Sequence, residues 1–456
     1  MTRILFLDFR EVETVAGLTR VLEPPRKHPG NPLFVADQPC ENGNMQLYGS
    51  VIKAPGRPFQ MWYSVIQEGW KMRLAYAESD DGLEWRRPEL DIFAWDGRPT
   101  NIVFTDYPHG PAVIYDEREP REDRRYKLVA GSSKTDHVGY IHGFHSPDGI
   151  HWRPAKAGPM ITTPPDCPMG FWRANDGRYV VLHRKQGFGR RVFRSESWDF
   201  DHFDEPRMIL EPGPEDDPQT QFYGMGATTY GSYEIGTLWL YHTDASVLTT
   251  SKMAGYQEAE LTYARHGHAW HRAAPRVDFI PHGGPEEWDR GNLQCASQPV
   301  LLDGEIRYYY MGTTAEHLSR WELTPQVAGL GMASMKPDRF VAMVAGEQPG
   351  KLLSVIFRLP GPELFVNADI AGRGEVRVEL TDPTGVPIEG CALADCDPLT
   401  GDATDHRVTW RGQGSAGAAG QPVRVRLQAR EARVYSIYAT APGETPHYRD
   451  FTAAWG

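Results

Sequence analysis

The stretch that decides the fold is Leu74–Trp85, which reads LAYAESDDGLEW and recurs as GFHSPDGIHW at 143–152. In both copies a short alternating strand runs into Asp-Gly, a pair that tolerates positive φ and closes a tight turn. A tryptophan follows three residues after the glycine in each copy. Weaker copies read VFRSESWDFDHF at 192–203 and LTYARHGHAW at 261–270, with a remnant, LGMASMKPDRF, at 330–340. Such repetition indicates an array of similar β-units.

The aromatic residues that end the copies measure the size of the repeated unit. Successive intervals are 67, 51 and 67 residues for the series Trp85, Trp152, Phe203 and Trp270. Each interval can hold about four strands of about five residues with their turns, which is one propeller blade. Closing blades into a ring also hides the sheet edges. We therefore predict a five-bladed β-propeller over residues 1–344, in which residues 1–30 form a lead-in and an outer strand.

The repeated sequence pattern changes after residue 344. Short alternating strands such as GEVRVELTD (374–382) and PVRVRLQA (422–429) continue there, but the tryptophan motif is absent. A glycine- and alanine-rich stretch, RGQGSAGAAG at 411–420, is typical of a loop. Six or more short strands of this kind indicate a β-sandwich. The predicted fold class is therefore all-β, with a sandwich and a carboxy-terminal tail over 345–456.

The charge balance narrows the class of partner. Lys and Arg total 48 against 60 Asp and Glu, which gives a formal net charge of −12 at neutral pH. Surfaces that follow nucleic-acid phosphates need a basic stripe, and anionic lipid also attracts basic segments. We therefore expect no nucleic acid and no membrane as partners, and a small carbohydrate is compatible with this charge. A homo-oligomer is left open.

The cysteines and the amino terminus bear on cofactors and location. The five cysteines have no repeated spacing and no CxxC pair, which gives neither a disulfide framework nor a zinc site. The start, MTRILFLD, is apolar for only four residues before Asp8, shorter than the core of a signal peptide. No stretch approaches the ~18 apolar residues of a membrane span. We predict a cytoplasmic protein with reduced thiols that needs no cofactor and no metal.

Catalytic and substrate-binding residues are expected where several loops converge. In a propeller blade the first and third strands run the same way, so the loops that precede them crowd around one mouth. Cleavage of a glycosidic bond needs a carboxylic acid to protonate the leaving oxygen and a second carboxylate as base or nucleophile. Aromatic faces stack on sugar C–H groups, while Arg and His bind hydroxyls. The candidate residues in these loops are Glu41, Trp70, His109, Asp166, Arg184, Tyr223, Glu258, Asp289 and His317.

Several longer phrases carry a family resemblance: NPLFVADQPCENGNMQLYGSV, DDPQTQFYGM and EWDRGNLQCASQPVLLDGEIRYYYMG. They resemble five-bladed propeller proteins similar to glycoside hydrolase families 32 and 43, over roughly residues 30–345, and the carboxy-terminal strands resemble that group's last domain. The resemblance implies a base or nucleophile, a helper Asp and a Glu acid at the inner strands of the first three blades. Those positions read Glu41, His109 and Asp166 here. The helper Asp is missing and the acid is Asp, so Glu258 becomes an attractive substitute acid.

These patterns lead to one hypothesis for function and two alternatives. The leading interpretation is a glycoside hydrolase or phosphorylase that acts on an oligosaccharide, with Asp166 and Glu258 as the catalytic pair and Glu41 or Asp289 tuning them. The predicted substrate-binding residues are His109, Arg184, Tyr223, Asp289, Trp70 and His317. A non-catalytic carbohydrate-binding propeller and a scaffold protein are the alternatives. An acid pair with opposed pKa shifts in a concave mouth would favour the enzyme.

Overall fold

The fold was examined in a computed structural model, which describes residues 2–67, 71–106, 108–132, 140–162, 165–185, 189–243, 255–317, 327–441 and 444. Strands dominate these residues, and no α-helix occurs among them. The all-β class is therefore confirmed. Within the same residues no helix is long and apolar enough to cross a membrane. The described 3-10 helices are Pro39–Glu41, Glu122–Arg124, Leu393–Asp395 and Ala416–Ala418.

The strands are numbered along the chain. The first group is β1 (Thr2–Leu5), β2 (Val12–Ala16), β3 (Leu18–Leu22), β4 (Arg26–Lys27), β5 (Phe34–Val35), β6 (Met45–Lys53), β7 (Phe59–Gln67), β8 (Lys71–Ser79), β9 (Leu90–Trp95), β10 (Arg98–Thr100), β11 (Ile102–Phe104), β12 (Pro108–Tyr115), β13 (Tyr126–Ser132), β14 (Tyr140–Ser146), β15 (Arg153–Pro154), β16 (Pro165–Arg173) and β17 (Tyr179–Lys185). The second group is β18 (Val192–Ser197), β19 (Arg207–Leu210), β20 (Gln221–Tyr230), β21 (Tyr233–Thr243), β22 (Gly255–Ala264), β23 (Trp270–Arg272), β24 (Asn292–Cys295), β25 (Val300–Leu302), β26 (Glu305–Thr313), β27 (Ala328–Met335), β28 (Val341–Ala345), β29 (Gly350–Ser354), β30 (Phe357–Arg358), β31 (Glu363–Thr381), β32 (Gly401–Arg407) and β33 (Pro422–Thr440).

The chain divides into two compact units. The larger contains residues 25–301 and 306–334, and the smaller contains residues 1–24, 302–305 and 335–456. This division differs from the predicted boundary at residue 344, because strands at the amino terminus pair with carboxy-terminal strands: β1 with β33, β2 with β29 and β3 with β28. Alternation along a strand reveals which face is buried but not which distant strand is its partner.

The larger unit is a series of antiparallel sheets. Three four-stranded sheets come first, in the orders β11-β8-β7-β6, β12-β13-β14-β15 and β16-β17-β18-β19. A ten-stranded sheet follows, whose two arms (β20 to β23, and β24 to β27 with β4 and β5) are joined by the parallel pair Gln257 and Asn292. β4 and β5 come from the start of this unit and complete the sheet at its end, pairing with β27.

The repeated Asp-Gly turns fasten one sheet to the next. Asp81 accepts hydrogen bonds from the backbone amides of Leu83 and Glu84, which closes the turn. Gly82 has φ 78°, and a Cβ there would lie 2.3 Å from the hydroxyl of Tyr309, which donates to the Gly82 carbonyl at 2.9 Å. The second copy repeats this arrangement at Gly149, φ 82°, whose carbonyl accepts from the Trp62 indole. Glycine is therefore required by both backbone angle and space.

The core of the larger unit lies between neighbouring sheets. Trp62, Leu74 and Tyr76 of the first sheet pack against Val113 and Leu128 of the second sheet, and all are buried. Comparable clusters join the second sheet to the third and the third to the strands β20 and β21. Face-to-face burial of this kind fixes the order of the sheets and brings the ends of their inner strands together.

The smaller unit is built on two long strands. β31 and β33 have 19 residues each and pair antiparallel, with a register break between Ile370 and Glu375. They belong to a nine-stranded sheet that also contains β1, β2, β3, β28, β29, β30 and β32. Valine and leucine at alternate positions of both strands are buried, from Val376 to Leu380 and from Val423 to Leu427, as the period of a half-buried strand requires.

Candidate active site

Aromatic and basic side chains from several sheets meet in the larger unit. We call this group the mouth cluster; its members are Tyr48, His109, Arg184, Arg190, Tyr223, Tyr241 and His317. A chain of hydrogen bonds runs through it, from the Tyr48 hydroxyl to that of Tyr223 at 2.8 Å and from Tyr223 to His317 Nε2 at 3.1 Å. The Tyr241 hydroxyl lies 3.3 Å from the other ring nitrogen of His317. Strands β6, β20 and β21 and the segment that follows β26 are thereby linked.

Two guanidinium groups give the mouth cluster a positive face. The Arg184 guanidinium lies 4.7 Å from the centre of the Tyr223 ring, and that of Arg190 lies 4.9 Å from the same ring. Arg190 also lies 5.2 Å from the Tyr241 ring and donates to Gln221 Oε1 at 2.7 Å. Arg184 is buried whereas Arg190 is half-buried. Cation–π contacts of this kind hold the arginine guanidinium groups in place.

His109 joins the cluster from the start of β12. Its ring is half-buried and meets the Tyr48 ring edge-on, with centroids 6.3 Å apart. The next residue, Gly110, has φ 61°, and a Cβ there would lie 2.2 Å from Cys167 Sγ. β12 and the start of β16 therefore approach closely beside His109, and Asp166 lies in that part of β16. The side chain of Asp166, and Trp70 altogether, lie outside the described residues.

A second group lies at the paired ends of β21 and β22, and its centre is Glu258. The Glu258 carboxylate is 2.5 Å from His242 Nε2 and also hydrogen-bonds to Asp278. Asp278 is brought there by an isolated bridge between Ala259 and Ile280, in which the Phe279 amide donates to the Ala259 carbonyl at 2.7 Å. We call Glu258 and Asp278 the carboxylate pair.

The two members of the carboxylate pair have opposed pKa shifts. Burial, the charge of Glu258 and the hydrogen bond with it raise the pKa of Asp278 to about 7. Burial also acts to raise the pKa of Glu258, but the hydrogen bond and charge of His242, with the charge of His282, hold it below its usual value. Near neutral pH the pair therefore contains a proton donor beside an ionised carboxylate, the combination that acid–base catalysis uses.

An exposed aromatic ring stands beside the pair. Tyr256 is 40% exposed, stacks on His242 with centroids 4.8 Å apart and meets His282 edge-on at 5.3 Å. Burial acts to lower the pKa of His242, but the hydrogen bond and charge of Glu258 raise it above its ordinary value. An accessible aromatic face next to an acid pair is suited to a ligand with apolar C–H groups.

A cavity of about 400 Å³ lies next to the mouth cluster, whose Arg190 lines it. Arg190 and Gln221 line it on the side of the mouth cluster, and Thr243, which follows His242, lines it on the side of the carboxylate pair. The exposed Asp217 also lines it and contributes to the raised pKa of His242. This volume lies within the range of small-molecule sites, and a ligand there would lie against the basic Arg190 and Arg191 and the acidic Asp216 and Asp217.

Glu41 and Asp289 lie in different surroundings from Glu258. Glu41 is fully buried, and its carboxylate accepts from Tyr63 at 2.6 Å and from Arg87 at 2.8 and 2.9 Å. Asp289 is 1% exposed and accepts from Lys27 at 2.6 Å and from Tyr310 at 3.0 Å. Both are therefore held by cations and tyrosines, whereas the Glu258 side chain keeps 15% of its surface exposed.

The structure brings four of the predicted residues together in the mouth cluster, namely His109, Arg184, Tyr223 and His317. Asp278 and Tyr256 were missed from sequence. In the described residues there is also no group of three or more His, Cys, Asp or Glu side chains that could hold a metal ion.

Comparison with known proteins gave structural matches only. No protein-family model matches the chain, and no curated protein matches it. A glycosyl hydrolase from Bacteroides ovatus is 16% identical, with a TM-score of 0.46 over 69% of this chain and 94% of its own. The β-1,2-mannobiose phosphorylase from Listeria innocua is 12% identical, with a TM-score of 0.44 over 68% and 96%. A thermostable family-43 glycoside hydrolase is 10% identical, with a TM-score of 0.44 over 64% and 89%.

Proposed function

We propose that this protein cleaves a glycosidic bond of a small oligosaccharide. The observation that carries the proposal is the carboxylate pair, one member of which has a raised pKa and the other a lowered one. Thr243, the neighbour of His242, lines a cavity that Arg190 of the mouth cluster also lines. Glycoside cleavage needs a proton donor for the leaving oxygen and a carboxylate for water or the anomeric carbon. Glu258, the ionised member of the pair, supplies the carboxylate, and Asp166 is proposed as the proton donor.

The proposed architecture is a five-bladed β-propeller with a carboxy-terminal β-sandwich. Three four-stranded sheets and the two arms of the ten-stranded sheet are counted as the blades. The pairing of β4 and β5 with β27 is the kind of closure that hides the last sheet edge of a ring. The nine-stranded sheet of the smaller unit, bent at the register break in β31, is taken as the sandwich.

The position of each residue suggests its role in cleaving the sugar. Glu258 is proposed as the acid–base carboxylate, with Asp166 as the second carboxylate from the start of β16. His109, Arg184, Tyr223 and His317 bind substrate hydroxyls and stack on the ring. Because Glu41 and Asp289 are buried in ion pairs, they support the shape and field of the site rather than touch the sugar.

The experiment is a turnover assay on a panel of oligosaccharides, with and without inorganic phosphate. Release of a reducing sugar in phosphate-free buffer indicates hydrolysis, and a sugar phosphate indicates phosphorolysis. Glu258→Gln and Asp166→Asn are both expected to lower turnover, while Glu84→Gln, at an exposed turn position, is the matched control. Sugar binding without any cleavage would replace the enzyme by a carbohydrate-binding protein.

A further inference from the structure

We propose that Asp278 is the proton-holding partner of Glu258 and positions that carboxylate for acid–base chemistry. The catalytic part of this statement rests on the proposed function, but the sharing of a proton does not. Asp278 belongs to a segment that no repeat or family phrase covers. It reaches Glu258 only because the chain returns after β23 to form the isolated bridge at Ala259.

The first argument is geometric. Glu258 and Ala259 are neighbours in β22, and Phe279, the residue after Asp278, is bonded to Ala259 at 2.7 Å. Backbone pairing thus places two carboxyl side chains side by side, and they hydrogen-bond to one another. An ionised carboxylate only accepts hydrogen bonds. Such a bond therefore exists only while one of the two carboxyl groups carries a proton.

The second argument assigns the proton. Glu258 has His242 at 2.5 Å, and an imidazolium there favours the ionised form of Glu258. Asp278 faces Glu258 and Glu260 from β22 and His242 from β21. Glu260 is itself paired with Arg272 at 2.6 Å. The proton therefore resides on Asp278, and the negative charge resides on Glu258 next to the histidine.

The remaining charged groups act on the histidines of this region. His282 donates from Nε2 to the Gln257 carbonyl, and Glu258, Asp289 and Lys27 influence its charge. Asp217 acts with Glu258 and Asp278 on His242. These groups change the electrostatic field around the carboxylate pair. Asp278, in contrast, hydrogen-bonds to Glu258 directly.

The pairing has a consequence for pH dependence. When Asp278 loses its proton, near pH 7, two adjacent carboxylates repel and the bond that holds Glu258 is lost. Activity through Glu258 should therefore fall on the alkaline side of about pH 7. Asparagine at 278 presents an amide donor at every pH, so Asp278→Asn should keep Glu258 in place and remove this alkaline limb.

The first test needs no substrate. Infrared difference spectra of the intact protein, titrated across neutral pH, report protonated carboxyl groups directly. We expect wild type to lose one such band with a midpoint near pH 7, Asp278→Asn to lack that band, and Glu84→Gln to keep it. A wild-type protein without the band, or an Asp278→Asn variant that retains it, would overturn the proposal whether or not the protein is an enzyme.

The second test uses whichever oligosaccharide the panel identifies. Asp278→Asn should keep kcat within about threefold of wild type below pH 7 and lose the alkaline limb, with KM little changed. Asp278→Ala, which leaves Glu258 without its donor, should lower kcat about tenfold at every pH. An unchanged pH profile in Asp278→Asn would contradict the positioning role. So would a folded Asp278→Asn variant that is inactive at every pH, because Asp278 would then donate its proton to the substrate itself.

Discussion

Two clusters of ionisable side chains in the larger unit have similar compositions and opposite electrostatics. Asp116 is buried and accepts from both the Arg173 guanidinium, at 2.7 Å, and the Tyr179 hydroxyl, at 2.6 Å. Burial acts to raise the pKa of Asp116, but these partners lower it below its ordinary value. Asp278 is hydrogen-bonded to another carboxyl group, that of Glu258, and its pKa rises to about 7.

The difference separates a structural cluster from a functional candidate. Around Asp116, cations and donors balance the carboxylate, and Lys127 and Glu119 form a further ion pair at 2.9 Å. Around Asp278 two carboxyl groups share a proton, and a histidine, His242, is hydrogen-bonded to Glu258. A carboxyl group whose pKa is raised by a neighbouring carboxylate is a candidate for function, whereas networks in which cations balance the carboxylates hold folds together.

The largest expected effect is on stability and concerns the cluster around Asp116. Asp116→Ala leaves the Arg173 guanidinium without its carboxylate and the Tyr179 hydroxyl without its acceptor, which should lower the free energy of unfolding by about 3 kcal/mol. Chemical denaturation measures this loss. Glu122→Ala, at a surface position whose side chain is 85% exposed, is the control and should change stability by less than about 0.5 kcal/mol. Equal losses in both variants would remove the contrast between the clusters.

The next largest effect is on turnover and concerns the carboxylate pair. Glu258→Gln removes the proposed acid–base group and should lower kcat about 100-fold with a smaller change in KM, since such groups act mainly in the transition state. Its free energy of unfolding should change by less than about 1 kcal/mol, because the side chain is partly exposed. A Glu258→Gln variant with normal turnover on a cleaved substrate would assign the chemistry to other residues.

A smaller effect is expected in the mouth cluster. Arg184→Lys keeps the charge but loses the planar group above the Tyr223 ring, so KM should rise about tenfold while kcat changes less. Lys185→Arg, at the neighbouring position in β17, is the matched control. A selective fall in kcat would place Arg184 at the reacting bond instead of at substrate hydroxyls.

The sequence predicted the parts of this arrangement that depend on local chemistry. Asp81-Gly82 and Asp148-Gly149 were identified because a tight turn needs those residue types. Glu258 was selected because it begins a strand after a long loop.

Non-local pairing could not be predicted in the same way. Asp278 was missed because only a single bridge, between Ala259 and Ile280, brings it to Glu258. Tyr48 lies in an alternating strand that reads as core, and it is buried, yet its hydroxyl reaches Tyr223. The pairing of β1 with β33 joins the two ends of the chain, which alternation within either strand does not indicate.

The smallest expected effect concerns stability and pH. A group whose pKa is higher in the folded than in the unfolded protein stabilises the fold below its unfolded pKa and loses that contribution as the pH rises through the folded value. For Asp278 the window runs from its ordinary value of 3.8 to about 7. Because the pair is partly exposed to solvent, we expect the contribution to be only about 1 kcal/mol.

The measurement is the free energy of unfolding of wild type and Asp278→Asn at several pH values across that window. Because the pKa values of Asp278 and Glu258 depend on each other, the difference between the two proteins reports the loss of their shared titration. Wild type should lose stability relative to Asp278→Asn as the pH rises towards 7 and stay level above it. A constant difference across the window would mean that Asp278 titrates alike in the folded and unfolded chains, and the two clusters would then differ only in composition.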